Sequence, residues 1–179
     1  MGIIFDLDLT IINSSIAETP RKNRVWSEVY KLIPKFTLYD GIIDAMTILL
    51  NNEIKICIVT SSPGSYCSKV LSHWHIPYDY TVCYHDTTNK KPHPEPIIKA
   101  VQHLKVAPSN ILSLGDRDID IIASNQANVP SVACLWGAED TNTLINSKPK
   151  FTINSPSELI ELATKFYPNF SASKSNLPF

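Results

Sequence analysis

Short apolar runs rich in β-branched residues alternate along this chain with segments whose apolar residues repeat at helical spacing. The runs predict strands at 2–5, 54–59, 79–84, 111–114, 131–135 and 151–153, and the repeats predict helices at about 20–33, 40–50, 66–74, 94–104, 118–125 and 156–166. Strands that are apolar throughout are covered on both faces, so the alternation predicts an α/β sandwich around a mostly parallel sheet.

Charge and composition narrow the classes of function. Sixteen Lys and Arg balance seventeen Asp and Glu for a net charge of −1, which removes the electrostatic case for a dedicated nucleic-acid surface but not for a nucleic-acid end as a substrate. The sequence has no stretch of the roughly 18 apolar residues that span a membrane and no signal-peptide pattern at its start. The four cysteines lack metal-site spacing, so we expect reduced thiols and a cytoplasmic protein.

Two aspartates follow the first predicted strand directly. Asp6 and Asp8 lie two positions apart, with Thr10 two residues further on, and side chains at this spacing in an extended segment point the same way. Paired carboxylates repel unless a cation or a proton intervenes. Such a pair serves as a metal clamp or as a nucleophile with an acid/base partner; the alternative is an ordinary Asp-rich turn.

Two further clusters are suited to an anion. Thr60 and Ser61 end the strand at 54–59, where hydroxyls and backbone N–H groups can hold a phosphate, although helix capping would also explain them. Lys91 precedes a predicted helix; beside clustered carboxylates it would neutralise their charge, and the alternative is a solvated loop lysine.

An acidic cluster follows the strand at 111–114. Asp116, Asp118 and Asp120 supply carboxylate oxygens, which suit Mg²⁺, and helix capping accounts for one of the three. The order of all four clusters, three of them directly after predicted strands, is more specific than any single cluster. Ligands bind beyond the carboxyl ends of parallel strands, so these groups are expected to meet there.

Four segments carry a resemblance to a known family: FDLDLT (5–10), IVTSS (58–62), KPHPEP (91–96) and LGDRDID (114–120). They resemble the haloacid-dehalogenase-like (HAD) phosphatases, nearest to the phosphoglycolate-phosphatase-type branch, and the likeness extends to about residue 165. The resemblance implies a Rossmann-like three-layer sandwich in a single catalytic domain, 1–167, followed by a loosely ordered tail, 168–179. The short interval before Thr60 leaves about 13–38 for a very small helical cap insertion.

The resemblance also implies roles for individual residues. Asp6 would attack phosphorus and form an aspartyl-phosphate, while Asp8 would act as general acid and then as general base. Thr60, the backbone of Ser61, and Lys91 would bind the phosphoryl group.

The same resemblance implies a magnesium site. Mg²⁺ would be held by the Asp6 carboxylate, the Asp8 backbone carbonyl and Asp116, with Asp120 either a ligand or a support for one. Leu9 stands where the family usually has Gly, a residue that accepts backbone angles Leu resists; the loop is expected to form nonetheless, because the reactive side chains flank that position.

The sequence therefore predicts a Mg²⁺-dependent phosphatase that hydrolyses a phosphomonoester. A catalytically silent phospho-ligand-binding module and a phosphotransferase are the alternatives. The expected substrate is a small phosphometabolite, with a macromolecular phosphate as the second choice, and a homo-oligomer is one way to close the open site. Arg21, Lys22 and Arg24 are candidates to contact a second anionic group of the substrate, unless they form a solvated face.

Overall fold

One six-stranded sheet organises the chain. The computed structural model describes residues 1–172. The strands of this sheet are β1 (Gly2–Phe5), β4 (Lys55–Val59), β5 (Tyr80–Val82), β6 (Ile111–Gly115), β7 (Ser131–Cys134) and β8 (Phe151–Ile153). Their order across the sheet is β5-β4-β1-β6-β7-β8, and every neighbouring pair is parallel. The predicted α/β class with a mostly parallel sheet is confirmed.

Helices cover both faces of this sheet. They are α1 (Glu18–Lys22), α2 (Trp26–Leu32), α3 (Ile42–Asn51), α4 (Gly64–His73), α5 (Glu95–Leu104), α6 (Asp118–Gln126), α7 (Thr141–Asn146) and α8 (Glu158–Phe166). Successive side chains of a strand point to opposite faces: Ile3 and Phe5 join the larger core cluster with α3, α4 and α8, whereas Ile4 packs with α5 and α6. The three layers follow from this alternation.

An insertion leaves the sheet after β1 and returns before α3. Its two ends pair as a short antiparallel ribbon, β2 (Ile12–Asn13) with β3 (Thr37–Leu38), and α1 and α2 lie between them. Val29 and Ile33 are buried in the larger core cluster, and the Ile33 carbonyl accepts a hydrogen bond of 3.1 Å from the indole of Trp74, the residue that follows α4. The insertion is therefore packed into the body of the domain.

Several features of the described chain differ from the prediction. The single helix expected at about 20–33 is wrong: α1 follows Ala17 and ends at Lys22 because Arg24 adopts a left-handed φ of 57°. The ribbon of β2 and β3 was not predicted. The six-residue helix α7 was not predicted.

The C-terminal end of the described chain contacts α3. The amide of Ser171 donates to Asn52 Oδ1 over 2.9 Å, and Asn52 Nδ2 donates to the Ser171 carbonyl over 3.0 Å. Most of the predicted loose tail lies outside the described residues. Within residues 1–172, the helices are too short or too polar to cross a membrane.

Candidate active site

A buried lysine joins three of the predicted elements at the carboxyl edge of the sheet. Lys91 Nζ donates to Asp6 Oδ1 and to Asp120 Oδ1, each over 2.6 Å, and to the carbonyl of Val59 over 2.9 Å. Asp6 itself extends β1, since its N–H donates to the carbonyl of Leu114 on the neighbouring strand over 2.9 Å. Chain segments more than a hundred positions apart in sequence thus meet at one ammonium group.

Burial and the neighbouring charges shift the pKa values of Asp6 and Lys91. Burial raises the pKa of Asp6 to about 7, because the loss of solvent outweighs the opposing effect of the Lys91 charge. Burial alone would lower the pKa of Lys91, yet Asp120 and Asp6 raise it above its usual value. Lys91 therefore keeps its positive charge, while Asp6 lacks full compensation.

Asp116 belongs to the same acidic cluster as Asp6 and Asp120, and one of its carboxylate oxygens accepts no hydrogen bond from residues 1–172. Thr10 Oγ1 donates to Asp116 Oδ1 over 2.7 Å, but Oδ2 is buried and receives no hydrogen bond from the residues that the structure describes. Burial, together with Asp6 and Asp120, raises the pKa of Asp116 to about 9. A buried acceptor of this kind is costly unless a proton or a cation meets it.

The donor set of the site fits Mg²⁺. No group of three or more His, Cys, Asp or Glu side chains within 1–172 is arranged as a metal cage. Asp6 and Asp116 nevertheless offer two carboxylates, and Mg²⁺ characteristically keeps several waters beside one or two carboxylates. Ligation by the Asp8 carbonyl stays a prediction. The Asp116 oxygen without a donor, in a cluster where acids outnumber the lysine, is what a divalent cation would satisfy.

Both carboxylate oxygens of Asp120 accept hydrogen bonds. Oδ1 accepts from Lys91, and Oδ2 accepts from the backbone N–H of Arg117 over 3.2 Å. Of the two roles left open for Asp120, these contacts favour the support of Lys91 over direct ligation of a metal.

Four side chains surround the second aspartate. Asp8 Oδ1 accepts from Ser14 Oγ over 2.7 Å and from the Tyr66 hydroxyl over 2.5 Å, and it forms an ion pair with Arg21. Asp8 Oδ2 accepts from Ser62 Oγ over 3.1 Å. The carboxylate is held in place by donors from both the insertion and the main body of the domain.

Thr60 and Ser61, the predicted anion-binding pair, line one pocket together with the acidic residues. Thr60 is buried, its N–H donates to the carbonyl of Val82 over 3.0 Å, and its Oγ1 accepts from the N–H of Ser62 over 3.1 Å. Ser61 is exposed. Both line a pocket of about 390 Å³ that Asp6, Asp8, Asp116 and Asp120 also line.

Three positions around the site, Leu9, Gly115 and Gly137, have special backbone requirements. Leu9 adopts a left-handed φ of 64°, so the turn that usually has Gly does form with Leu in this chain. A Cβ on Gly137 would lie 1.6 Å from the Leu9 carbonyl oxygen, and a Cβ on Gly115 would lie 2.3 Å from the Cβ of Asp120. Neither position has room for a side chain.

The three basic residues of the insertion all line the pocket, but they differ in their partners. Arg21 pairs with Asp8, whereas Lys22 pairs with Glu18 one turn earlier on the same helix, and Arg24 lies at the left-handed break between helices. Their contact with a second anionic group of a substrate stays a prediction.

Sequence reasoning did not find the contacts of Tyr66 and Ser14 with Asp8. Tyr66 was predicted as an apolar position of a helix, and its ring is indeed buried, but its hydroxyl reaches a residue 58 positions earlier in the chain. A tyrosine on a helix that follows a Thr-Ser-Ser strand end was the available signal.

The chain belongs to the family described as haloacid dehalogenase-like hydrolase, whose model matches residues 16–134. It is 30% identical over 128 residues to pyrophosphatase PpaX of Oceanobacillus iheyensis, covering 70% of this chain and 60% of that protein. It is 27% identical over 125 residues to phosphoglycolate phosphatase of Escherichia coli K12, covering 69% of this chain and 50% of that one. The resemblance to the phosphoglycolate-phosphatase type is confirmed, and the chain spans between half and three fifths of these relatives.

Solved structures support the same fold. A hydrolase from Pseudomonas syringae matches with a TM-score of 0.80 at 18% identity, covering 92% of this chain and 98% of that one. A phosphoglycolate phosphatase from Lactobacillus plantarum, described as putative, matches with a TM-score of 0.79 at 22% identity, covering 90% and 98%. The Rossmann-like three-layer architecture of the HAD fold is therefore confirmed.

Proposed function

We propose that the chain is a Mg²⁺-dependent phosphatase that hydrolyses a phosphomonoester through an aspartyl-phosphate on Asp6. One observation carries the proposal: Lys91 joins Asp6 to Asp120, and both acids line a pocket together with Asp116, whose Oδ2 has no donor among residues 1–172. Such a cluster pairs a nucleophile with the positive charge that a phosphoryl group needs. Residues 1–167 would act as one catalytic domain.

The chemistry takes place in two balanced steps. A carboxylate oxygen of Asp6 attacks phosphorus, the bond from phosphorus to the ester oxygen breaks, and Asp8 gives its proton to that leaving oxygen. A water then attacks the phosphorus of the aspartyl-phosphate and displaces Asp6, and Asp8 takes a proton from that water, which replaces the proton that Asp8 gave to the leaving oxygen. Inorganic phosphate leaves, and the Asp6 carboxylate is restored.

The remaining site residues would bind the phosphoryl group and neutralise its negative charge. Thr60 and the backbone at Ser61 would hold the phosphoryl oxygens, and Lys91 would offset the charge that develops on them; the shared pocket of Thr60, Ser61 and Asp6 and the contact of Lys91 with Asp6 support these roles. Asp6, Asp116 and the Asp8 carbonyl would hold Mg²⁺, with Asp120 bracing Lys91. When bound, the ion would neutralise charge on the phosphoryl group.

A small phosphorylated molecule is the substrate we propose. The relatives named as pyrophosphatase and phosphoglycolate phosphatase support this choice, and the near-zero net charge gives no support for nucleic acid. A macromolecular phosphate and a second copy of the chain that closes the site remain as further proposals. The cytoplasmic location also stays a prediction.

Phosphate release by the purified chain tests the proposal. We expect hydrolysis of p-nitrophenyl phosphate with Mg²⁺, its loss with EDTA, and its loss in Asp6→Asn. Asp44→Asn is the control, because Asp44 is an exposed acid outside the pocket. Mass spectrometry of the acid-quenched enzyme should locate one phosphoryl group on the peptide that contains Asp6.

Other outcomes separate the alternatives. Binding of phosphate or of Mg²⁺ without hydrolysis of any phosphomonoester would favour the silent binding module. Transfer of the phosphoryl group to an added alcohol in preference to water would favour the phosphotransferase. Full activity in Asp6→Asn would refute the nucleophile assignment.

A further inference from the structure

Asp8 is held by two long side chains that come from different parts of the domain. The Tyr66 hydroxyl reaches Asp8 Oδ1 from α4 over 2.5 Å, and Arg21 pairs with the same oxygen from α1 in the insertion. Two shorter side chains, Ser14 and Ser62, also donate to this carboxylate. Both long side chains thus converge on the residue to which the proposed mechanism assigns both proton transfers.

The ring of Tyr66 is fixed by packing. It is fully buried, with Trp26 of α2 at a centroid distance of 5.8 Å and Phe36 at 6.5 Å in an edge-on arrangement. Aromatic contacts of this geometry add stability beyond the burial of area. Because two insertion residues clamp the ring, its hydroxyl has a fixed direction, and that direction is toward Asp8.

The same interface fixes the insertion that carries Arg21. Tyr30 of α2 and Ser65 of α4 share a hydrogen bond of 2.9 Å, and Trp74, directly after α4, donates to the Ile33 carbonyl. The Arg21 side chain is 14% exposed. Arg21 therefore approaches Asp8 from a support that is packed against the domain.

We propose that Tyr66 and Arg21 are positioning residues for Asp8, holding its carboxyl group in the geometry that proton transfer requires. The inference rests on the proposed phosphatase function. The interface between the insertion and α4 supplies this alignment in the resting fold, so it would not depend on closure of the insertion over the substrate. Displacement of a catalytic group by about 1 Å can cost 100-fold in rate, which gives such positioning a measurable effect.

Leaving-group dependence tests the proposal. The ratio kcat/KM covers the steps up to phosphoryl transfer to Asp6. An alkyl phosphate needs a proton on its leaving oxygen, whereas p-nitrophenolate leaves with little help. Tyr66→Phe and Arg21→Gln should each lower kcat/KM for an alkyl phosphate roughly 10- to 100-fold and for p-nitrophenyl phosphate less than about threefold. For the alkyl phosphate, the loss in kcat/KM should come from a lower kcat rather than from a higher KM. Arg21→Lys should have a smaller loss than Arg21→Gln.

Two control variants match these changes. Tyr30→Phe removes a hydroxyl from the same interface without touching Asp8, and Lys31→Gln removes an exposed charge from the insertion. Both should keep the wild-type ratio between the two substrates. Thermal melting and circular dichroism show whether each variant is folded.

Different results would overturn the positioning role and the proposed function. Equal losses on both substrates, or a ratio unchanged from wild type in folded Tyr66→Phe and Arg21→Gln, would overturn the positioning role. A similar shift of the ratio in Tyr30→Phe would overturn it as well, because the interface rather than the contact would then be responsible. A wild-type chain that hydrolyses neither substrate would instead refute the proposed function.

Discussion

Gly115 is the position where a single methyl group should test the site most directly. It ends β6, and a Cβ there would lie 2.3 Å from the Cβ and 2.7 Å from Oδ2 of Asp120. Non-bonded carbons prefer about 3.5 Å or more, so Gly115→Ala has to displace Asp120 by about 1 Å. That displacement strains both hydrogen bonds of Asp120, to Lys91 and to the Arg117 backbone.

The displacement of Asp120 sets the expected losses of stability and of rate in Gly115→Ala. Overpacking of a dense interior costs about 1–3 kcal/mol, and misplacement of Lys91 by the same shift should lower kcat on the order of 100-fold. Urea denaturation followed by tryptophan fluorescence measures the first effect. Hydrolysis of p-nitrophenyl phosphate at saturating Mg²⁺ measures the second.

Gly64→Ala is the matched control. Gly64 begins α4 near the same pocket, but the nearest atom to its added Cβ would be 3.9 Å away. Alanine in a helix is favoured over glycine by roughly 0.5–1 kcal/mol, so this variant should be as stable as wild type or slightly more so. If Gly115→Ala also keeps wild-type stability and rate, the contact with Asp120 does not set the position of Lys91.

Three further predictions concern the acid cluster and the insertion. Lys91→Met should lower the free energy of unfolding by about 3–5 kcal/mol in urea denaturation at neutral pH, because it leaves buried carboxylates without their cation. Asp116→Asn should abolish the rise in Tm that Mg²⁺ gives to wild type without lowering the metal-free Tm, as thermal melts will show. Val29→Ala should cost about 2 kcal/mol in one cooperative transition, whereas Val25→Ala, at a side chain that is 37% exposed, should cost less than about 0.5 kcal/mol.

Each of these predictions has a contradicting result. A Lys91→Met variant as stable as wild type would mean that the surrounding acids are not charged in the folded protein. A Mg²⁺-induced shift that survives in Asp116→Asn would remove this residue from the metal site. Separate melting of the insertion in Val29→Ala would show that it is not part of the cooperative core.

The sheet and the meeting of the site residues were predictable from the sequence for one physical reason. Parallel strands buried on both faces have continuous apolar runs, and their carboxyl ends share one edge. Polar residues directly after such runs, as at Asp6, Thr60 and Asp116, are therefore brought together by topology. Lys91 does not end a strand, and its place was expected from the family resemblance.

The contacts that were not predicted depend on tertiary packing. Periodicity placed one helix over 20–33, but a left-handed Arg24 breaks it, and α2 then begins at Trp26, whose ring packs on Tyr66. Helix propensity over a few residues is a weak preference that tertiary contacts override. The position of Tyr66 after the Thr-Ser-Ser strand end is the one local signal of a polar role. The partner of its hydroxyl could not be predicted, because Asp8 lies in another segment of the chain.

The fixed insertion changes how this site would have to exclude water. A lid that closes on its substrate removes water and completes the catalytic geometry in one motion, but here Val29, Ile33 and Phe36 are buried in the domain core. Opening and closing the insertion would expose these side chains, at about 1.5–3 kcal/mol for each large apolar residue. If Tyr66 and Arg21 align Asp8 as proposed, the two tasks would be separate: the geometry would be set in the resting fold, and water would be excluded by the substrate, by a second chain, or not at all.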